Sequence, residues 1–167
     1  MRTLLFDFST DRDIDAWMPV NDVVMGGVSH GKLEATGNGT AAFTGFVSLE
    51  QGGGFASVRS RPHPYDLSAH AELELRVRTD GRRYKINLRT DVRSNGILYT
   101  AIIQARAGDW QTVRLPFEDF RPTFRGRASP EAAPLDLSGV ISLGLMISDR
   151  QSGPFCLELA TIGAGPG

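Results

Sequence analysis

The sequence predicts an all-β protein, an antiparallel sandwich or a barrel, and three observations carry that prediction. Apolar and polar residues alternate with period two along several short runs. Glycine and proline clusters fall between those runs, and no regular helical period is sustained anywhere in the chain. The run "AELELRVR" (71–78) shows the pattern most clearly, setting Leu73, Leu75 and Val77 against Glu72, Glu74, Arg76 and Arg78.

Taken in chain order, "TLLFDF" (3–8) reads as the first strand and "DRDIDAW" as a short helical turn. Residues 21–33, "NDVVMGGVSHGKL", read as a turn in which Gly26 and Gly27 let the backbone bend and Asn21 and Asp22 hold nearby N–H groups. Strands then fit "AAFTGFVSLE" (41–50) and "GFASVRS" (54–60). Residues 71–106 contain three alternating runs separated by Asp80-Gly81 and Asn95-Gly96, dipeptides that tolerate the positive φ of tight hairpins. The expectation there is a three-stranded antiparallel meander. Further strands fit "WQTVRL" (110–115), "VISLGLMIS" (140–148) and "PFCLELATI" (154–162), and "SPEAA" allows one more helical turn. Between them, 116–137 is a long irregular connection, a kind of loop that often carries function.

The chain has 167 residues, which suits one domain spanning 1–167 with a core large enough to need no disulfide or metal. Its net charge is −1, so no global field draws it to nucleic acid or to an anionic membrane. Apart from Lys32 and Lys85 the basic residues are arginines, suited to bidentate recognition of carboxylate or phosphate. Cys156 is the single cysteine and sits in an apolar run, where a buried hydrophobe is expected. The N-terminal residues suit neither a signal peptide nor a transit peptide, and no segment reaches the length of a transmembrane helix. The expectation is a cytoplasmic protein without a cofactor.

Two catalytic motifs are matched and fail on context. Gly27, Ser29 and Gly31 fit the serine-hydrolase elbow, and Gly26, Gly31 and Lys32 fit most of a phosphate-binding loop. Both need a helix immediately afterwards, and "KLEATGNGTAAF" has no helical period. Asp11, Asp13, Asp15 and Asp22 have calcium-loop spacing, but Ala16 stands where the loop requires glycine. No nucleophile, base and orienting group can be assembled, so an enzyme is not expected.

Three separate blocks, "WMPVNDVVMGGVSHGKL", "FTGFVSLEQGGGFASVRS" and "WQTVRLPFEDFRPTFRGR", resemble the signature blocks of the complex I intermediate-associated protein 30 family, in the family's order. The resemblance implies a jelly-roll sandwich of the galactose-binding-like type. It also implies a non-catalytic assembly factor, a chaperone of respiratory complex I, with complex subunits as protein partners. With no transit peptide, the chain is read as a stand-alone, bacterial or otherwise non-organellar relative.

Two surfaces are candidates for contact. In "FEDFRPTFRGR", Phe117, Phe120 and Phe124 interleave with Arg121, Arg125 and Arg127, the composition of protein-interface anchors. A polar sheet face is expected to carry Glu72, Glu74, Arg76, Arg78, Lys85, Asn87, Arg89, Asp91, Thr100, Gln104 and Arg106 with no aromatic, and Arg76 and Arg89 are its candidate anion contacts. Asn21, Asp22, Glu50 and Arg59 are candidates for a polar site at the sandwich rim. The alternative function is a module that binds carbohydrate or another small polar ligand, with Trp17, Tyr65 or Trp110 as a platform.

Overall fold

The computed structural model describes residues 2–20, 29–49, 54–90 and 96–166. In chain order its strands are β1 (Thr3–Asp7), β2 (Trp17–Val20), β3 (His30–Ala35), β4 (Ala41–Val47), β5 (Ala56–Ser60), β6 (Glu72–Thr79), β7 (Tyr84–Arg89), β8 (Leu98–Ile103), β9 (Gln111–Pro116), β10 (Arg121–Phe124), β11 (Arg127–Ala128), β12 (Ser142–Ile147) and β13 (Gly153–Gly165). One short helix, α1 (Asp11–Asp15), joins β1 to β2. A six-stranded sheet runs β3-β4-β13-β6-β9, with β1 also paired to β13. A seven-stranded sheet runs β11-β10-β8-β7-β12-β5-β2. The expected antiparallel jelly-roll sandwich is what forms.

Period-two alternation places the core between the sheets. Phe43, Leu73, Leu75, Val77, Leu157 and Leu159 come from the six-stranded sheet; Val58, Tyr84, Ile86, Leu88, Leu143 and Leu145 come from the other. Phe43 joins the two layers, its ring 4.9 Å from Phe155 and 6.2 Å from Tyr84. The Tyr84 hydroxyl donates to both oxygens of Asp80 at 3.0 Å, and burial, with the nearby Asp80 charge second, pushes that phenol's pKa up.

The meander expected over 71–106 does not form. Strands β7 and β8 do pair as a hairpin, with Leu88 opposite Tyr99, but β6 lies in the other sheet between β13 and β9. Asp80-Gly81 begins a crossover between the layers instead of a tight turn. Its anchors are Arg82 Nη1, which donates to the carbonyls of Gln151 and Ser152 at 3.1 and 3.2 Å, and the Arg83 N–H, which donates to Gln151 Oε1 at 3.0 Å. Those bonds tie the segment to the approach to β13.

Residues 116–137 are more ordered than expected. A 3-10 turn at Phe117–Asp119 leads into β10, which pairs with β8 and then folds back on β11. β3 was hidden inside text read as a turn, because Gly31 faces inward there; a Cβ on it would stand 3.0 Å from Phe43 Cε1. Cys156 is exposed, not buried: alternation along β13 sends Phe155 and Leu157 inward and Cys156 outward. Burial of its surroundings, then the charges of Asp80 and Glu158, push its thiol up, away from the reactive thiolate. Among the described residues no helix is long and apolar enough to cross a membrane.

The acidic N-terminal segment serves the backbone. Thr10 caps α1 by accepting from the Asp13 N–H at 3.3 Å, Asp13 Oδ2 accepts from the Asp7 N–H at 2.7 Å, and Asp7 Oδ1 accepts from both the N–H and the hydroxyl of Ser9. The Ser9 hydroxyl, then its N–H, hold the Asp7 carboxyl below its ordinary value. A lowered folded-state pKa contributes stability that is present above the unfolded value and lost as pH falls through the folded one. We expect Ser9→Ala to raise the Asp7 pKa toward the ordinary carboxylate value and to narrow this acid dependence, read by carbon-detected NMR titration. An unchanged Asp7 pKa would sink the assignment. Among the described residues no group of three or more His, Cys, Asp or Glu side chains is placed to hold a metal ion.

Candidate interaction face

The outward face of the seven-stranded sheet is built by register. Met18 on β2 lies opposite Arg59 on β5, Arg59 opposite Gly144 on β12, Gly144 opposite Asn87 on β7, Asn87 opposite Thr100 on β8, and Thr100 opposite Arg121 on β10. One side of this row is Val20, Ser57, Met146, Lys85 and Ile102; the other includes Ser142, Arg89, Leu98 and Thr123. No aromatic side chain stands in these positions.

Although the face points outward, Asn87 and Arg89 are 4% and 6% exposed, whereas Met18 and Ile102 are 43% and 52% exposed. Thr100 donates to Asn87 Oδ1 at 2.7 Å, which orients the amide. Lys85 and Arg83 share the Asp149 carboxylate at 3.1 and 3.4 Å. Arg59 is partly buried, and burial alone lowers its guanidinium's pKa; among the described residues no ion pair or hydrogen bond reaches the guanidinium.

The expected polar comb is therefore split across the molecule. Arg76 and Arg89 lie on opposite outer faces, because their strands belong to different sheets. Arg76 donates to Thr112 at 3.3 Å on the six-stranded sheet, beside a depression of about 440 Å3 lined by Asn38, Thr40, Arg78, Trp110 and Glu158. Much of that depression is engaged internally. Arg78 stacks over the Trp110 ring at 5.3 Å and donates twice to Glu158 Oε1, while Thr40 donates to Glu158 Oε2 at 2.7 Å. Glu72 and Glu74, expected in solvent, are 6% and 7% exposed. Arg114 Nη1 bridges Glu72 Oε2 at 3.1 Å and Glu74 Oε1, and Arg2 Nε reaches Glu74 Oε2 at 2.6 Å.

The loop candidates also divide. Phe117 and Phe120 are buried, 7% and 5% exposed, and wall a largely apolar, open depression of about 450 Å3 with Tyr99, Pro122, Leu135 and Leu137. Phe124 is exposed with the Arg125 guanidinium over its ring at 5.2 Å, and Arg121, Arg125 and Arg127 are exposed. Arg121 Nη1 donates to the Glu118 carbonyl at 2.5 Å. Of the rim candidates Arg59 is placed as above, and Asn21, Asp22 and Glu50 lie outside the described residues. Arg59 was legible as a rim candidate and Asn87 as part of a polar face; that they meet across Gly144 was not, since only the β5-β12-β7 order brings them together.

Residues 6–159 match the family described as complex I intermediate-associated protein 30. The chain is 32% identical to the mitochondrial complex I intermediate-associated protein 30 of Mus musculus, over 96% of this chain and 55% of the mouse protein. It is 30% identical to the mitochondrial protein of the same name from Drosophila melanogaster, over 96% of this chain and 62% of the fly protein. It thus spans little more than half the length of these relatives. Among solved structures it resembles the family 11 carbohydrate-binding module of the cellulase Lic26A-Cel5E of Clostridium thermocellum, with TM-score 0.74 and 16% identity over 100% of this chain and 95% of the module. It also resembles the family 30 carbohydrate-binding module of the cellulase Cel9D-Cel44B of the same organism, with TM-score 0.58 and 18% identity over 98% of this chain and 96% of the module. At such identities the likeness shows the sandwich fold alone. The cytoplasmic, non-organellar expectation is corrected by these relatives, which are named as mitochondrial and point to that compartment. By the match over residues 6–159, the chain belongs to the complex I intermediate-associated protein 30 family.

Proposed function

We propose that this chain is a non-catalytic interaction module in respiratory complex I assembly, holding a partner protein on the outward face of its seven-stranded sheet. The observation that carries this reading is the composition of that face: exposed Met18 and Ile102 flank a row of cationic and amide side chains, with no aromatic in the row or beside it. Protein interfaces combine apolar contacts with arginine anchors, whereas sugar rings are recognised largely by stacking on aromatic planes. Family membership supports a partner among respiratory complex subunits. The hairpin of Arg121, Phe124, Arg125 and Arg127 extends the same sheet at its edge and serves as a second contact. Of the three candidate aromatic platforms for carbohydrate, Trp17 is buried, Tyr65 is partly buried beside His63, and Arg78 already covers the Trp110 ring face.

The test is affinity purification from native cells in mild detergent. Complex I subunits, identified by mass spectrometry, should co-purify with wild type. They should fall at least about tenfold with Met18→Glu plus Ile102→Glu, the effect of losing ~1.4 kcal/mol of contact. Both residues are exposed, so stability should change by no more than about 0.5 kcal/mol per site. Wild type without complex I subunits, or a variant that retains them in full, overturns the proposal.

A further inference from the structure

Across β5, β12 and β7, the outward row sets Arg59 and Asn87 on either side of Gly144. Two strand spacings separate their Cα atoms by about 9–10 Å. Gly144 has ordinary negative or extended φ, and a Cβ built on it would stand 3.4 Å from the Val58 carbonyl oxygen and 3.6 Å from Asn87 Cβ. Neither backbone conformation nor a severe clash demands glycine here. What its missing side chain leaves is a notch between a guanidinium and an amide.

The groups lining the notch are donors. Asn87 Oδ1 is occupied by the Thr100 hydroxyl at 2.7 Å, which leaves Nδ2 on the Gly144 side, 3.7 Å from the position of that Cβ. The Arg59 guanidinium is partly buried with no ion pair among the described residues. A partly desolvated cation without a counter-charge is costly, and an anion entering the notch relieves that cost. Lys85 is tied away from the notch to Asp149, a carboxylate it shares with Arg83, and Arg121 is turned to the Glu118 carbonyl. One uncommitted cation and one amide donor match a single negative charge with two acceptor oxygens. That is a carboxylate; a phosphate dianion would ask for more positive charge than the notch holds.

We infer that Arg59 and Asn87 form a carboxylate-binding subsite over Gly144, filled by an acidic side chain of the protein that docks on this face. The identity of the carboxylate's source rests on the interaction reading above; the subsite itself rests on the geometry of the notch. The exposed Met18 next to Arg59 and Ile102 at the edge of the face give the rest of a protein contact, which a free metabolite would leave bare.

The test is an NMR titration of isotope-labelled wild-type protein with the capped peptide acetyl-Ala-Glu-Ala-amide, with acetyl-Ala-Gln-Ala-amide as the neutral control, at constant ionic strength. Sodium acetate and inorganic phosphate are titrated separately. The expected result is a saturable shift of the Arg59 Nε–H and Asn87 side-chain amide signals with the Glu peptide and not with the Gln peptide. Arg59→Met keeps the apolar stem and Asn87→Asp keeps the acceptor for Thr100, and each should weaken binding at least tenfold. Acetate binding as tightly as the Glu peptide would replace the partner side chain with a free carboxylate. Preference for phosphate, an equal response to the Gln peptide, or no movement of the two signals overturns the subsite. The wild-type titration needs no variant to fold, and it is independent of the purification above. A positive titration with no complex I subunits recovered keeps the subsite and loses the assembly reading; the opposite pair of results does the reverse.

Discussion

Replacing Phe43 with alanine should lower the free energy of unfolding by about 3–5 kcal/mol, the cost of emptying a fully buried aromatic site. Phe43 is 0% exposed, and its ring touches groups from both layers: Phe155 edge-on at 4.9 Å in its own sheet and Tyr84 at 6.2 Å in the other. The gap cannot close easily. Gly31 on one side has no side chain to swing in, and Tyr84 is held at its far end by Asp80. Urea denaturation with an unchanged slope should report the loss as a shift in midpoint alone. A loss below about 1 kcal/mol would mean that the layers collapse to refill the site and that Phe43 does not hold them apart.

Arg114→Met should cost about 2–4 kcal/mol, because it strips the shared counter-charge from two carboxylates of which little is exposed, leaving Arg2 on Glu74 alone. The figure sits toward the lower end for a broken buried pair because the Arg114 side chain is itself 57% exposed and partly screened. The carboxylates are drawn down onto the sheet by a glycine: a Cβ on Gly165 would stand 3.5 Å from Glu74 Cδ and 3.6 Å from Glu72 Oε2. Adding Glu72→Gln and Glu74→Gln to Arg114→Met should recover most of the loss, since the uncompensated charge is then gone. If Arg114→Met costs less than about 0.5 kcal/mol, the cluster is an ordinary solvated pairing.

Glu72 and Glu74 also show what alternation can and cannot reveal. Period two correctly places them on the outer side of β6, but an outward side chain need not be a solvated one. Their burial depends on Gly163, Gly165 and Arg114, which come from strands β13 and β9 that the local text of β6 does not name. The same limit explains the missing meander. Parity assigns each side chain to a face, but it does not choose a strand's partner. The Asp80-Gly81 signal was outweighed by bonds from Arg82 and Arg83 to residues nearly seventy positions away.

For the candidate face, parity made legible only that Lys85, Asn87, Arg89 and Thr100 share one side of β7 and β8; which other strands complete that face needed strand order. The pairing of Arg76 with Arg89 failed because it needed strand order. The hairpin arginines were legible as exposed, while Phe117 and Phe120 were not separable from Phe124 by composition. Their burial follows from the 3-10 turn at Phe117–Asp119, which tucks both rings beneath the sheet edge beside Tyr99.

Strand β13 pairs with β1 and β4 along one edge and with β6 along the other, and it follows every other strand of both sheets in the sequence. A ribosome therefore completes β1, β4 and β6 while the strand that must lie between them is still unmade. Until it emerges, three ladders of N–H and C=O groups stand open, and pairing across so many residues is slow. A chain built this way depends on protection during synthesis, and loss of β13 would leave open strand edges prone to pair with other chains.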